Sequence, residues 1–333
     1  MIMNILILRL SALGDVAMTI PAIYSVACTY PQHRFMVATT AFASRLFIEP
    51  PSNVEVLALS KEESKGIAGT WRLLKRLRTL HVDAVADLHN VLRSWVIDVF
   101  FRLSGKSVVM LDKHRRERRA ILHEHGRMSR SFVECYFDVF AHLGLSALPQ
   151  FTSLFSKHLP PLPSGFQFKD GERCVGIAPF ARFRTKIYDL AKMQEVVRLL
   201  ADSGVRVFLF GARGSEEKQL REWARGKENV DVVAGRLSIE EELALMAHLD
   251  VMLTMDSANM HLASLVGTRV VSLWGGTTPA CGFLGYGQHE EDALVAGLMC
   301  QPCSIAGGDS CRRGSFDCIQ CISPSIIVEK LIC

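Results

Sequence analysis

The residues with the clearest chemical use follow the apolar run Val251–Met255 in the second half of the sequence. Asp256 is a good N-cap for the helix expected after it, and the free N–H groups of that helix's first turn could cradle a phosphate. His261 lies about one and a half turns further on, where it could donate to an anion or a sugar. An ordinary capped helix with a half-buried histidine is a strong alternative. The Gly-rich turn at residues 274–279 follows the next apolar run and favours the anion site.

A basic loop at residues 178–186 leaves the first apolar run of the same half, Cys174–Ala178. Its three cations, Arg182, Arg184 and Lys186, fall within five residues at the expected carboxyl end of a strand. Such a cluster suits a diphosphate. A solvated basic loop is the alternative, and it is the preferred interpretation for Arg184.

A carboxylate also stands in the turn after the first apolar run of the chain. Gly14 would let a ligand approach the backbone there, and Asp15 follows it in the first helical turn. Spacing alone favours the ordinary interpretation, in which Asp15 complements the helix dipole. No other carboxylate in the sequence is so well placed at the end of this strand, which favours a functional role for Asp15.

A fourth cluster of polar residues lies in the predicted turn at residues 87–94, and a basic run follows it at residues 113–119. Between Arg102 and Arg130 there are nine basic and three acidic residues, a local excess of six. Such a patch could meet nucleic acid, an anionic membrane or a phosphorylated glycan. Aromatic residues are not interleaved with the cations, which argues against nucleic acid. Charge runs are often only solvated faces.

The elements that position these turns are short apolar runs alternating with amphipathic stretches. Apolar runs of this length, bounded by turns, are typical of parallel strands covered on both faces, and such sheets present ligands at their carboxyl ends. A Pro-rich linker at residues 157–171 interrupts the pattern. We therefore predict an α/β fold of two doubly wound, Rossmann-like domains facing a cleft, residues 1–160 and 172–333.

Composition and missing motifs exclude several classes of protein. The 333 residues are 49% hydrophobic and 22% charged, with a net charge of +4, which excludes a disordered chain. No stretch approaches the roughly 20 apolar residues of a membrane span, and the start is too short for a signal peptide, so we expect a cytoplasmic protein. The G-x-G-x-x-G and G-x-x-x-x-G-K-[ST] motifs are absent, which disfavours a nicotinamide dehydrogenase or a P-loop kinase.

The tail at residues 300–321 is rich in cysteine. Paired C-x-x-C units with a further cysteine between them suit tetrahedral zinc or an iron–sulfur cluster, and zinc is the better candidate of the two. Free thiols or partly oxidised pairs are an equally good interpretation. The candidate metal ligands are Cys300, Cys303, Cys311, Cys318 and Cys321.

Two long segments resemble glycosyltransferase family 9, the ADP-heptose:lipopolysaccharide heptosyltransferases. The opening I-L-I-L-R-L-S-A-L-G-D-V-A-M-T-I-P-A is similar to the family's first strand and loop, and D-S-A-N-M-H-L-A-S-L-V-G-T-R-V-V-S-L-W-G resembles its nucleotide-sugar signature. The resemblance extends in order over nearly the full length, including the turn at residues 87–94. It implies the GT-B architecture, with the acceptor in the N-terminal domain and an ADP-sugar in the C-terminal domain.

The resemblance also implies a role for single residues. Asp15 would be the general base of an inverting transfer, Lys186 would meet the phosphates, Glu216 or Glu217 the ribose, and Leu237 the adenine. The implied donor-binding set is Ala181, Arg182, Lys186, Glu216, Leu237, Asp256, Ser257, Ala258 and His261. The implied acceptor-binding set is Ser11, Gly14, His89, Arg93, Arg115 and Arg116.

The implied activity is transfer of a heptose from an ADP-sugar to the inner core of lipopolysaccharide. A lysine and a helix N-terminus would stabilise the departing ADP, so no cofactor is required, although magnesium could assist. The acceptor would be a lipid A–Kdo type glycolipid whose acidic groups meet the basic patch. The enzyme would then be cytoplasmic and peripheral to the inner membrane, with no nucleic-acid partner.

Three departures from the family pattern keep alternatives open. Ala258 replaces a usual glycine, and Ala181 and Arg182 replace hydroxyl-bearing residues. The donor sugar or the acceptor could therefore differ from heptose and Kdo. Another alternative is a protein that binds a nucleotide sugar or a metal without catalysis, and a cysteine-metal regulatory or nucleic-acid-binding protein represents a further class.

Overall fold

The computed structural model describes residues 2–63, 65–124 and 126–333. The chain divides into two compact units, which differ from the predicted ranges. The first unit contains Met1–His114 and Arg130–Leu154, and the second contains Arg115–Ser129 and Phe155–Cys333. Residues 115–129 join the second unit because their apolar side chains pack there: Ile121 and Met128 are buried with Cys281.

The first unit is built on a five-stranded parallel sheet. Its order is β3-β2-β1-β4-β5, so the chain direction across the sheet reverses at β1. Leu8, the last residue of β1, is paired with both Ala38 and Asp87, which puts the turns after β1 and β4 side by side. The strands are β1 Asn4–Leu8, β2 Arg34–Thr40, β3 Val54–Leu59, β4 Ala84–Asp87 and β5 Ser107–Met110.

Helices cover this sheet through apolar residues at helical spacing. Leu73 and Leu77 of one helix and Ile97 of the next join the core formed by the strands. Another helix begins with a capping box, in which Ser131 and Glu134 bond to each other's backbone N–H groups. The helices as far as residue 142 are α1 Leu13–Thr29, α2 Gly66–Leu77, α3 Leu92–Leu103, α4 Arg115–Glu124 and α5 Phe132–His142, of which α4 lies in the second unit.

The second unit is built on a six-stranded parallel sheet of order β11-β10-β9-β6-β7-β8. The direction reverses between β6 and β9, where Ala178 is paired with Thr254, so the turns after these two strands are neighbours. The strands are β6 Cys174–Ala178, β7 Arg206–Leu209, β8 Val230–Val232, β9 Val251–Met255, β10 Arg269–Trp274 and β11 Ala293–Val295. The helices are α6 Leu190–Asp202, α7 Ser215–Ala224, α8 Ile239–Met246, α9 Ala258–Leu265, α10 Asp317–Gln320 and α11 Pro324–Ile332.

The predicted α/β fold with two parallel sheets is confirmed. Several elements escaped the sequence analysis, namely α4, β11 and the two tail helices. The basic residues from Arg115 onward belong to α4. Within the described residues, no helix is long and apolar enough to cross a membrane.

Candidate functional site

The first candidate site lies at the end of β1, where Asp15 is held by a buried arginine. Arg9 Nη2 lies 2.5 Å from Asp15 Oδ2, and Arg9 Nη1 donates to the carbonyl of Leu88 at 2.7 Å. The Arg9 guanidinium also lies 6.0 Å from the ring centroid of Tyr136. The side chain of Asp15 is 36% exposed, so a substrate can reach its carboxylate. Arg9 had no predicted role, although a cation directly after an apolar strand was a signal in the sequence.

The turn after β4 is organised around Asp87, whose side chain is fully buried. Its Oδ1 accepts the N–H groups of His89 and Asn90 at 2.8 and 2.9 Å, and its Oδ2 accepts the hydroxyl of Ser94 at 2.6 Å. These bonds stabilise the left-handed conformation of Asn90, with φ +47°. Asp87 therefore shapes the turn that presents His89.

His89 is a neutral imidazole in this environment. Burial lowers its pKa to about 3, and the nearby charges of Arg9 and Lys113 act in the same direction, while Asp15 opposes them. The turns after β1 and β4 thus bring His89 and Asp15 together. A neutral histidine can donate or accept a hydrogen bond from a substrate hydroxyl without adding positive charge.

The predicted acceptor residues do not all lie in one unit. Ser11, Gly14, His89 and Arg93 belong to the first unit, and Arg93 donates to the backbone carbonyl of Glu63. Arg115 and Arg116 are exposed on α4 of the second unit.

The second candidate site lies between the turns after β6 and β9. Lys186 Nζ lies 2.7 Å from Asp256 Oδ2, and both side chains are largely buried, at 12% and 4% exposure. The hydroxyl of Thr277 donates to the same carboxylate oxygen at 2.6 Å. The predicted N-cap function of Asp256 is therefore wrong, because its carboxylate is occupied by Lys186 and Thr277 and the N-cap residue of α9 is Ser257.

The N-terminus of α9 has the features of an anion site. Ser257 makes no side-chain capping bond to the helix. Its hydroxyl is buried and has no hydrogen-bond partner among the described residues. A buried hydroxyl without a partner is costly, so a ligand that accepts a hydrogen bond from Ser257 would be stabilised here. Together with Lys186 and the positive end of α9, this donor suits a diphosphate.

The Gly-rich turn keeps Lys186 in place. Gly276 N–H donates to the carbonyl of Thr185 at 2.8 Å. A Cβ on Gly275 would lie 2.2 Å from that carbonyl oxygen, so a larger residue would push the lysine turn away. Neither Thr185 nor Thr277 was singled out by the sequence analysis, because both act through contacts between distant segments.

The cysteine tail packs directly on this turn. Thr185 and Gly308 exchange two hydrogen bonds, of 3.0 and 2.9 Å, and Cys303 N–H donates to Gly276 at 3.0 Å. The tail is therefore part of the wall around Lys186. Burial and the neighbouring Cys300 and Cys311 thiols raise the pKa of Cys303.

The tail thiols are near one another without forming a metal site. Burial, with the neighbouring Cys303, Cys300 and Cys311, raises the pKa of Cys318 to about 11. All ten cysteines of the chain are free thiols. Across the described ranges, no three His, Cys, Asp or Glu side chains are arranged to hold a metal ion. As placed, Cys300, Cys303, Cys311, Cys318 and Cys321 do not fit the predicted zinc site.

The remaining predicted donor residues lie in α7, in α9 and in the segments after β6 and before α8. Glu216 accepts the N–H of Ala212 at 2.7 Å, and Glu217 pairs with Arg221 at 2.8 Å. Leu237 is half-buried just before α8, and Ala181 is half-buried after β6. Arg182 is exposed, with its guanidinium 5.2 Å from the ring centroid of Phe183. His261 is buried in α9.

Comparison with known proteins places these sites in context. Residues 70–306 match the family described as glycosyltransferase family 9 (heptosyltransferase). A curated relative, lipopolysaccharide heptosyltransferase 3 of Escherichia coli, is 26% identical over 281 residues, which cover 79% of this chain and 81% of the relative.

Solved structures extend the likeness to the fold. The structure of E. coli heptosyltransferase WaaC with ADP has a TM-score of 0.68 at 20% identity, covering 91% of this chain and 97% of that one. The iron-containing dodecameric glycosyltransferase TibC from enterotoxigenic E. coli H10407 has a TM-score of 0.59 at 14% identity, covering 99% and 77%. The predicted GT-B class of α/β fold is thereby confirmed.

Proposed function

The chain belongs to glycosyltransferase family 9 and is a glycosyltransferase, and on that premise we propose that it transfers a heptose, or a related sugar, from an ADP-sugar to the inner core of lipopolysaccharide. The observation that carries the proposal is the buried Lys186–Asp256 pair at the N-terminus of α9, beside the buried Ser257 hydroxyl, which has no hydrogen-bond partner among the described residues. The name of the E. coli relative, a lipopolysaccharide heptosyltransferase, supports the acceptor class.

In this proposal the diphosphate of the donor lies at the N-terminus of α9. Lys186 Nζ has three N–H donors, and Asp256 accepts from one, which leaves two for phosphate oxygens. As the sugar–ADP bond breaks, negative charge grows on the diphosphate, and the lysine and the helix dipole stabilise it. The other proposed donor contacts are Ala181, Arg182, Glu216, Leu237, Ser257, Ala258 and His261.

Asp15 is the proposed general base. Its carboxylate accepts the proton of the acceptor hydroxyl while that oxygen bonds to the anomeric carbon and ADP leaves from the opposite face, so the configuration inverts. Arg9 orients the carboxylate through Oδ2. The proposed acceptor contacts are Ser11, Gly14, His89, Arg93, Arg115 and Arg116, whose cations would meet acidic Kdo sugars and phosphates of a lipid A–Kdo type acceptor. The enzyme would work on the cytoplasmic side of the inner membrane, peripherally and without nucleic acid.

A product assay tests the function directly. Protein is incubated with a panel of ADP-sugars and truncated lipid A–Kdo acceptors, and products are identified by mass spectrometry, with Asp15→Ala as the matched control. A product one heptose heavier, formed by the native chain and not by the variant, supports the proposal. Transfer of another sugar would identify a family member of different donor specificity. We would then attribute the difference to Ala181, Arg182 and Ala258, which depart from the family pattern.

Binding without transfer would point to the second candidate, a non-catalytic nucleotide-sugar-binding protein. Calorimetry with ADP-heptose, carried out beside the product assay, separates the two candidates. Assays with added magnesium and with a chelator test the expectation that no metal is required for transfer.

Metal in the tail is a separate prediction, since the thiols as placed do not form a site. Cys300 and Cys311 lie close enough to Cys303 to raise its pKa, and this closeness is the reason to test the tail for zinc. Elemental analysis of protein purified under reducing conditions should find about one zinc per chain if the tail is a structural site. No bound metal would leave the tail as free thiols.

A further inference from the structure

Helix α3 carries a stripe of exposed apolar residues on its outer side. Its inner side is formed by Ser94, Ile97, Asp98 and Phe101, all buried. The outer side carries apolar residues at the helical spacing i, i+3, i+4, i+7 and i+11, which are Leu92, Trp95, Val96, Val99 and Leu103. A helix that covers a sheet ordinarily places polar residues on its outer side. Here Leu92 and Leu103 are 76% and 85% exposed, so the outer side is built for contact with something apolar.

Helix α2 extends this surface. Ile67 and Trp71 are 80% and 62% exposed, and they are spaced i and i+4. Arg78 continues the same stripe at i+11, and its guanidinium lies 5.8 Å from the ring centroid of Phe100 in α3. The exposed stripe on α2 therefore ends beside α3. We define the α2/α3 apolar face as Ile67, Trp71, Leu92, Trp95, Val96, Val99 and Leu103.

Charge distinguishes the occupants that could cover this face. Exposed cations rim it at Arg72, Lys75, Arg78 and Arg102. Within α2 and α3, whose residues are all described, the single acid is Asp98, and it is buried. Exposed tryptophans with a cationic rim match an anionic lipid surface, where indoles lie at headgroup level and cations meet phosphates. A twofold dimer through this face would bring like charges together.

We propose that the α2/α3 apolar face docks this protein on an anionic phospholipid bilayer. This inference rests on the proposed function, because an enzyme whose acceptor is anchored in a bilayer has to reach the bilayer surface. It assigns the membrane contact to this face and not to the basic run at residues 113–119. Trp95 Nε1 donates to Asn90 Oδ1 at 2.6 Å, so the face adjoins the turn that presents His89. Docking would bring that turn to the bilayer surface, where the acceptor lies.

The tryptophans supply a specific probe. Of the four in the chain, Trp223 and Trp274 are buried, at 3% and 0% exposure, and the other two lie on the α2/α3 apolar face. Vesicles of phosphatidylglycerol and phosphatidylcholine with brominated acyl chains should therefore quench the fluorescence of the bound full-length protein. The protein should also float with these vesicles in a density gradient, and less so with pure phosphatidylcholine.

The matched variants place the same charges on and off the face. Val99→Glu with Leu103→Glu should weaken vesicle binding about tenfold or more, since two apolar contacts become acidic. Ile2→Glu with Leu148→Glu changes two residues of the first unit, 72% and 77% exposed and outside the face, and should leave binding unchanged. Trp71→Glu on α2 provides a second face variant if the first pair unfolds, as judged by circular dichroism, and it should also weaken vesicle binding.

Three results would overturn the proposal. These are a native protein that does not bind the vesicles, a face variant that binds them equally well, and a native dimer that the face variant makes monomeric in sedimentation with no change in vesicle binding. The last result would assign the face to a second copy of the chain.

Failure of the proposed function gives a different pattern. An acyl-free, water-soluble acceptor needs no docking, so the face variant should keep full transfer to it and lose transfer to acceptor embedded in vesicles. If no donor and acceptor pair gives product while the face variant still loses vesicle binding, the docking surface stands and the proposed reaction fails.

Discussion

The buried guanidinium of Arg9 anchors the exposed carboxylate of Asp15, with Nη2 and Oδ2 2.5 Å apart. The same guanidinium donates to the carbonyl of Leu88, just beyond β4, so two neighbouring strand ends fix the position of the carboxylate. Arg9 is 6% exposed, whereas the side chain of Asp15 is 36% exposed. This arrangement gives a carboxylate that substrate can reach and that does not have to be ordered during the reaction, which is what a general base requires.

Replacing Asp15 with Asn should lower the transfer rate by about 10²–10⁴-fold, because the amide cannot take the proton of the acceptor hydroxyl. Binding of ADP should be unchanged, since the proposed diphosphate site belongs to other residues. The measurement pairs a product assay with calorimetry of ADP binding. Asp112→Asn, an exposed aspartate in the same unit, is the control and should keep full activity. Near-native turnover by the Asp15 variant would remove it from the role of base.

Arg9→Met tests whether the anchor acts through Asp15. The variant should lower kcat on the order of 10²-fold through misplacement of the carboxylate, with little change in the KM for the ADP-sugar. In the Asp15→Asn background the same substitution should cause almost no further loss, because the group it positions is already inactive. Additive losses in the double variant would instead indicate that Arg9 has an independent role. Circular dichroism establishes that each variant is folded.

Substitutions in the Lys186–Asp256 pair should affect the free energy of unfolding and the affinity for ADP separately. Lys186→Met leaves Asp256 as an uncompensated buried carboxylate and should cost about 3–5 kcal/mol in the free energy of unfolding. Adding Asp256→Asn should recover most of that loss while ADP affinity stays low, since the phosphate contact is still missing. Urea unfolding and calorimetry on the single and double variants measure the two effects. Recovery of ADP affinity in the double variant would contradict the proposed phosphate contact.

The strands and their turns were predictable from sequence because apolar runs bounded by turn residues report burial directly. The apolar runs Val251–Met255 and Cys174–Ala178 are observed as strands with the same bounds. The partner of Asp256 was not predictable, because Lys186 and Thr277 reach it from other segments of the chain. The helix-capping preference of aspartate therefore predicted an N-cap, whereas the carboxylate binds Lys186 and Thr277 in the folded chain.

The same reasoning explains what the sequence missed in the first unit. The pairing of Arg9 with Asp15 depends on the turn between them bringing cation and carboxylate together, which spacing alone does not specify. Residues 115–129 were assigned to the N-terminal domain by chain order, yet Ile121 and Met128 are buried with Cys281 in the second unit. The outward stripe of α3 has ordinary helical spacing, so only the structure shows which side is exposed.

Asp98 predicts how stability depends on pH. Burial and the neighbouring Asp87 raise its pKa from 3.8 to about 8, against the smaller opposite effect of Arg102. Between these two pKa values the folded chain holds a proton that the unfolded chain has lost. Its contribution to stability is therefore complete below the lower value and is lost progressively as the pH rises, until the pH passes the upper value.

Asp98→Asn should remove this dependence, because the amide stays neutral in both states. Urea unfolding at about pH 5, 7 and 9 should show the variant gaining stability relative to the native chain as the pH rises. Asp112→Asn, an exposed aspartate, serves as the control and should follow the native curve. Parallel curves for the native chain and Asp98→Asn would contradict the raised pKa of Asp98, because they would mean that its carboxyl loses its proton over the same pH range in the folded and the unfolded chain.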